Sequence, residues 1–92
     1  MAIDLSTTVK QANDQVSCSL NEEVAILNLK SGIYYGLGDV GGVIWEHLNE
    51  KRTVAELCII VTEHFDIAED QCASDVIDFL NNLADVGLVD IL

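Results

Sequence analysis

The side chains in this 92-residue chain that could do chemistry are few and scattered. His47 and His64 are the only histidines, and no Cys-x-x-Cys, His-x-x-x-His or His-Glu pairing provides a metal set. Cys18, Cys58 and Cys72 are odd in number, far apart in sequence and placed among apolar residues. That pattern suits reduced core thiols in a cytosolic protein better than ligands or nucleophiles. Ser6, Ser17, Ser19, Ser31 and Ser74 have no base near them in sequence, and no glycine-rich loop precedes a basic residue as in a phosphate cradle. The expectation is a protein that is not an enzyme and has no cofactor, metal or catalytic residue.

Charge narrows the choice of partners. Sixteen acidic residues against four basic ones give a formal net charge of -12. Nucleic-acid affinity comes largely from Lys and Arg displacing counterions, so a polyphosphate partner is repelled, and an anionic membrane surface is disfavoured for the same reason. No apolar run approaches the roughly 18 residues that span a bilayer. Met1-Ala2-Ile3-Asp4-Leu5-Ser6 lacks the basic and apolar regions of a signal peptide, which implies a cytoplasmic protein. With 50% apolar residues the chain can build one small core, and residues 1–92 read as one domain with residues 1–8 a flexible lead-in.

The elements come in two rhythms. Val16, Cys18 and Leu20 alternate with Ser17 and Ser19, a strand with one wet face, and Asn21-Glu22-Glu23 connects it to the next. Val24-Ala25-Ile26-Leu27-Asn28-Leu29 is nearly continuous in apolar residues, as expected of a central strand covered on both sides. Lys30-Ser31-Gly32 turns the chain into a third strand, Ile33 to Leu37, completing an antiparallel meander whose last member is an edge in search of a partner. Val9 is positioned to begin a further short edge pairing.

After Gly38 the period lengthens. Asp39 is a candidate N-cap, and Val40, Val43, Ile44 and Leu48 share one helical face, with Trp45 just off that stripe. Gly41-Gly42 weakens the first turn by up to roughly 2 kcal/mol relative to two alanines, which suggests that another backbone approaches closely there. Thr53-Val54-Ala55-Glu56 is a capping box opening a second helix. A third helix runs from near Ala68 to about Val86 with Gly87 as its C′ residue, and Leu88 to Leu92 is an apolar tail that could pair or pack as a wing.

The third helix is the most informative element. At about 100° per residue, its apolar residues, among them Val76, Phe79, Leu80 and Leu83, fill an arc of roughly 180°, where a helix that only caps a core needs nearer 100°. One margin therefore has surface to offer something beyond its own core, unless the sheet and the other helices consume the whole arc. Asp75, Asp78 and Asp85 flank it, either as a solvated face or as partners for basic residues of a bound chain.

The block Leu27-Asn28-Leu29-Lys30-Ser31-Gly32-Ile33-Tyr34-Tyr35-Gly36-Leu37, followed by Val40-Gly41-Gly42-Val43-Ile44-Trp45-Glu46-His47-Leu48 and Thr53-Val54-Ala55-Glu56-Leu57, resembles the PqqD-like family. These are the RiPP recognition elements that hold the leader of a ribosomal precursor peptide for modifying enzymes. The resemblance covers about residues 9 to 90 and is most like the free-standing leader-binding proteins of lasso-peptide biosynthesis. It implies an α+β fold, a winged helix-turn-helix with a three-stranded antiparallel sheet followed by three helices. It also implies a non-catalytic peptide chaperone whose partners are the precursor leader, a leader peptidase and a macrocyclase. The leader would add as a strand to the third strand, through Ile33, Tyr34, Tyr35 and Leu37, against Val76, Phe79, Leu80 and Leu83 of the third helix. Asp75 and Asp78 would be possible electrostatic contacts. Family members often have Asp at the place of Asn28 and Asn-Pro at the place of Gly38-Asp39; both differences concern turns and caps.

Three other readings compete. One is a PqqD-type chaperone serving a radical-SAM enzyme. Another is a winged-helix transcription regulator, opposed by the near absence of Lys and Arg from the second and third helices. The last is a carrier protein, because Asp4-Leu5-Ser6 is similar to the attachment triplet of acyl carrier proteins. Carriers are all-helical, with that serine opening a central helix, whereas here the triplet precedes a run of strands.

Overall fold

The structure is a computed structural model describing residues 3–20 and 23–92; Asn21 and Glu22, read as the first connection, lie outside the described residues. The elements run β1 (Thr8–Gln11), β2 (Gln15–Leu20), β3 (Glu23–Asn28), β4 (Tyr34–Leu37), α1 (Asp39–His47), β5 (Arg52–Thr53), α2 (Val54–His64), α3 (Glu69–Asp85) and β6 (Val89–Ile91). The fold is α+β, with antiparallel strands and three helices. The expected meander forms as a sheet in the order β2-β3-β4. A second sheet, β5-β1-β6, gathers the start of the chain, the α1–α2 connection and the C-terminal tail. Val9 does pair, and the tail does too, but with each other rather than with the meander.

The core-facing side of the meander carries Val24, Ile26 and Leu37, packed with Ile44, Trp45 and Leu48 of α1 and its cap, Val54, Leu57 and Val61 of α2, and Cys72, Val76 and Leu80 of α3. Residues 3–7 are not the loose lead-in the sequence suggests. Ile3 is buried, and the carbonyls of Leu5 and Thr7 accept the amides of Ala55 and Val54 at 3.0 Å each. Two orphan donors at the α2 N-terminus are thereby satisfied. The capping box is present as well: the Thr53 hydroxyl accepts from the Glu56 amide, and the Glu56 carboxylate accepts from the Thr53 amide and hydroxyl. Those bonds hold the Glu56 carboxyl below its ordinary range, so their stabilisation is present above that range and lost as pH falls through the lowered value.

Three local expectations change. The α1 N-cap is Gly38, not Asp39, which is the first helical residue and sits where a carboxylate suits the helix dipole. Gly42 and Gly41 do mark close approaches, but of side chains rather than backbone: a Cβ on Gly42 would lie 3.2 Å from Val24 Cγ2, and one on Gly41 3.1 Å from the Phe79 ring. The third change concerns the meander's polarity. Ser19 Oγ donates to Glu46 Oε1 at 3.3 Å, so the serines of β2 face α1, while Val16 and Cys18 lie on the opposite, outer face and are exposed. Cys18 is thus not a core thiol. The outer face is open on β3 also, where Ala25 and Leu27 are half-buried and not covered on both sides.

Two devices fix the end of α3. Gly87 takes φ +76°, and the amides of Gly87 and Leu88 return to the carbonyls of Ala84 and Leu83 at 3.1 and 2.9 Å, a Schellman closure. Asn28, the one buried polar residue among those described, then joins this end to the meander. Its Nδ2 donates to the Val86 carbonyl at 2.8 Å, and its Oδ1 accepts from the Lys30 and Ser31 amides at 2.9 and 3.2 Å. Asn28→Ala would leave a helix-terminal carbonyl and two turn amides without their partner. It is expected to cost about 2–3 kcal/mol of stability, seen as a lowered urea midpoint.

Candidate functional site

The open edge of the meander is built by β4. Asn28 N–H donates to the Ile33 carbonyl at 3.0 Å, and the register continues through Leu27↔Tyr34, Ile26↔Tyr35, Ala25↔Gly36 and Val24↔Leu37. In an antiparallel ladder, hydrogen-bonded pairs alternate with non-bonded ones. Tyr35, Leu37 and the Ile33 carbonyl therefore turn toward β3, the Ile33 amide donating instead to Ser31 Oγ at 3.3 Å, and Tyr34 and Gly36 turn their main-chain groups away. No described strand lies on that far side. Their amides and carbonyls face outward as an unpaired row.

Alternation also sorts the side chains. Leu37 and Tyr35 share the core-facing side with Val24 and Ile26, and Ile33 sits on that side opposite Asn28, half of its surface exposed at the rim. Tyr34 projects to the outer face beside Leu27 and Val16 and is 72% exposed. The core-facing side of β4 is the one that continues toward α3.

The place of α3 follows from two contacts. The Phe79 ring lies over Gly41 at the Leu37 end of β4, and the Val86 carbonyl lies on Asn28 at the Ile33 end. Helix α3 thus runs antiparallel to β4. The seven residue steps from Phe79 to Val86 rise about 10 Å, and the four steps from Ile33 to Leu37 about 13 Å, so the two walls are of similar length. Phe79 and Val86 pack on the core while remaining half-buried, and Asp75, Asp78 and Asn82 continue outward from them, exposed or nearly so. Gln71 Nε2 donates to Asp75 Oδ1 at 2.8 Å. The result is a strand edge with unpaired main-chain groups beside a part-exposed aromatic wall with an acidic rim.

The family model described as coenzyme PQQ synthesis protein D (PqqD) matches residues 23–89, from the first residue of β3 to the first of β6. This chain belongs to the PqqD family. The structure of TbiB1 in complex with the TbiA(beta) leader peptide is 31% identical to this PqqD-family chain, covers 88% of it and 94% of its own length, and superposes with a TM-score of 0.83. A lasso peptide synthetase B1 complexed with its leader peptide is 16% identical, covers 89% and 96% of the two chains, and has a TM-score of 0.79. That second likeness concerns the fold alone. No curated protein matches the chain.

The sequence-derived site residues of this PqqD-family chain divide into three groups. Ile33, Tyr35 and Leu37 share the core-facing side of β4, where Leu37 and the Phe79 ring of α3 both border Gly41, and Tyr34 lies on the outer face. Val76, Leu80 and Leu83 are 1%, 0% and 5% exposed, so the structure places them in the core beneath the wall rather than on its surface. Asp75 and Asp78 are exposed on the rim. The sequence reading put Val86 on the apolar arc of α3 without singling it out, and did not single out the outward main-chain groups of Gly36. Val86 closes the apolar arc of α3, but nothing in the pattern separates it from the helix cap. Gly36 was findable, because a glycine in an edge strand often marks a close backbone approach.

The groups with chemical potential lie elsewhere. His47 and His64 place their rings 6.4 Å apart edge to face, each with Nδ1 on the carbonyl four residues back, at 2.8 Å. Among the described residues no group of three His, Cys, Asp or Glu side chains could hold a metal ion. Burial, then the neighbouring Cys58 thiol, pushes Cys72 up to about 11, and burial raises Cys58 too. Both remain thiols near neutral pH and are poor nucleophiles. Among the described residues no helix is long and apolar enough to cross a membrane.

Proposed function

We propose that this chain binds the leader segment of a ribosomal precursor peptide as an added strand on β4 and presents it to processing enzymes without catalysing a step itself. The unpaired main-chain row of Tyr34 and Gly36 carries the reading. An extended guest gains hydrogen bonds of low sequence content from that row, and its alternate side chains drop toward Ile33, Tyr35, Leu37 and Phe79, which supply specificity. Val76, Leu80 and Leu83 hold Phe79 from beneath. Asp75 and Asp78 meet basic residues of the guest along the rim.

Likeness to TbiB1 bound to its leader peptide supports leader binding, and the sequence resemblance to the free-standing lasso-type binders points to a leader peptidase and a macrocyclase as the enzymes served. The family match alone would equally support a chaperone for a radical-SAM enzyme. A transcription regulator is disfavoured, because α2 and α3 contain no Lys or Arg to meet phosphates. Fluorescence polarisation with a labelled leader from the neighbouring precursor gene tests the reading. Saturable binding is expected; its absence with a normally folded protein would exclude this function.

A further inference from the structure

The meander has a second open edge, and it is unlike the first. The Leu29 amide donates to the Asp14 carbonyl at 3.0 Å, which sets the β2–β3 ladder so that Val16↔Leu27 and Cys18↔Ala25 are the hydrogen-bonded pairs. Ser17 and Ser19 consequently direct their main-chain groups away from β3, where no described strand meets them. Edge strands are ordinarily blunted by charge, proline or a bulge. Here Gln15 to Leu20 has neither charge nor proline in a chain with 22% charged residues, its register with β3 runs unbroken, and Val16 to Ser19 are all exposed.

The residue order supplies the occupant. Val16-Ser17-Cys18-Ser19-Leu20 reads nearly the same in both directions about Cys18. A closed two-fold interface brings a patch against itself, so position i meets j and j meets i. Antiparallel pairing of this strand with its own copy, centred on Cys18, sets Ser17 against Ser19, Cys18 against Cys18 and position 16 against position 20. Like meets like throughout. Ser17 and Ser19 are the residues whose main-chain groups point outward, so they form the hydrogen-bonded pairs, and the Cys18 pair falls at a close, non-bonded position with Cα atoms about 4.5 Å apart.

We propose that two copies of this chain associate through β2 in that register, making a continuous six-stranded sheet with the β4 edges at its two far ends. The net charge of -12 on each copy opposes the association, so the dimer is weak at low salt and tightens as salt screens the repulsion.

Sedimentation velocity of the full chain at low and high salt, with thiols kept reduced, tests the proposal together with Ser17→Pro. Proline at position 17 removes an outward N–H and leaves the β2–β3 bonds intact. The wild type is expected to dimerise more strongly at high salt, and the folded variant, checked by circular dichroism, to stay monomeric. Mild oxidation with diamide should link wild-type copies through Cys18, giving a covalent dimer on a non-reducing gel that Cys18→Ser abolishes. A wild type that stays monomeric at every concentration and salt, a dimer unaffected by Ser17→Pro, or a dimer without the Cys18 link would overturn it.

Discussion

Gly36→Pro is expected to weaken leader binding by about 2–4 kcal/mol, with little change in thermal stability. The Gly36 N–H faces away from β3, so proline there removes no bond of the existing sheet. It removes one bond to the guest, worth about 0.5–1.5 kcal/mol, and leaves a guest carbonyl unsatisfied at a further cost of about 1–3 kcal/mol. A loss of roughly 30- to 700-fold in Kd should follow. The control is Tyr35→Pro, one residue earlier, where the N–H points toward β3; that variant should lose stability as well as binding. Isothermal titration with paired melting curves separates the two. Equal affinity for wild type and Gly36→Pro would place the guest elsewhere.

Phe79→Ala is expected to lower affinity by about 1–3 kcal/mol, the usual cost of truncating an aromatic anchor. Because the ring also lies over Gly41 and packs on the core, some stability is lost with it. Phe79→Leu keeps most of the apolar contact and serves as the paired variant. Its binding should fall less than that of Phe79→Ala at similar stability. Tyr34→Ala, on the outer face, should cost affinity but almost no stability, since the side chain is already 72% exposed. Unchanged binding in both Phe79→Ala and Tyr34→Ala would remove α3 and β4 from the site.

Much of the fold was legible because its longer elements carry strong periods. The meander follows the period-two alternation, and α3 with its Gly87 closure follows an uninterrupted helical arc. The sheet of β5, β1 and β6 was not legible as a unit. Its strands are two to four residues long, too short to show a period, and their pairing joins the start of the chain to its end. In β2 the alternation and the wet serine face were read correctly, but the apolar face of Val16 and Cys18 is exposed too: a period of two separates faces without saying whether either is covered. An edge strand with Ser19 held by Glu46 can leave its apolar side in solvent. For the proposed site, the sequence named a strand and a helix. It could not tell the surface of the wall from the layer beneath, because Phe79 and Val76 share one apolar arc and differ only in what packs over them.

Strand addition on β4 is tested most directly by amide hydrogen exchange at single-residue resolution, with and without saturating leader peptide. In the free protein the Tyr35 and Leu37 amides should be protected by β3 while those of Tyr34 and Gly36 exchange freely. Saturation should protect Tyr34 and Gly36 and leave Ser17 and Ser19 unchanged. Binding that leaves the Tyr34 and Gly36 amides unprotected would contradict the account.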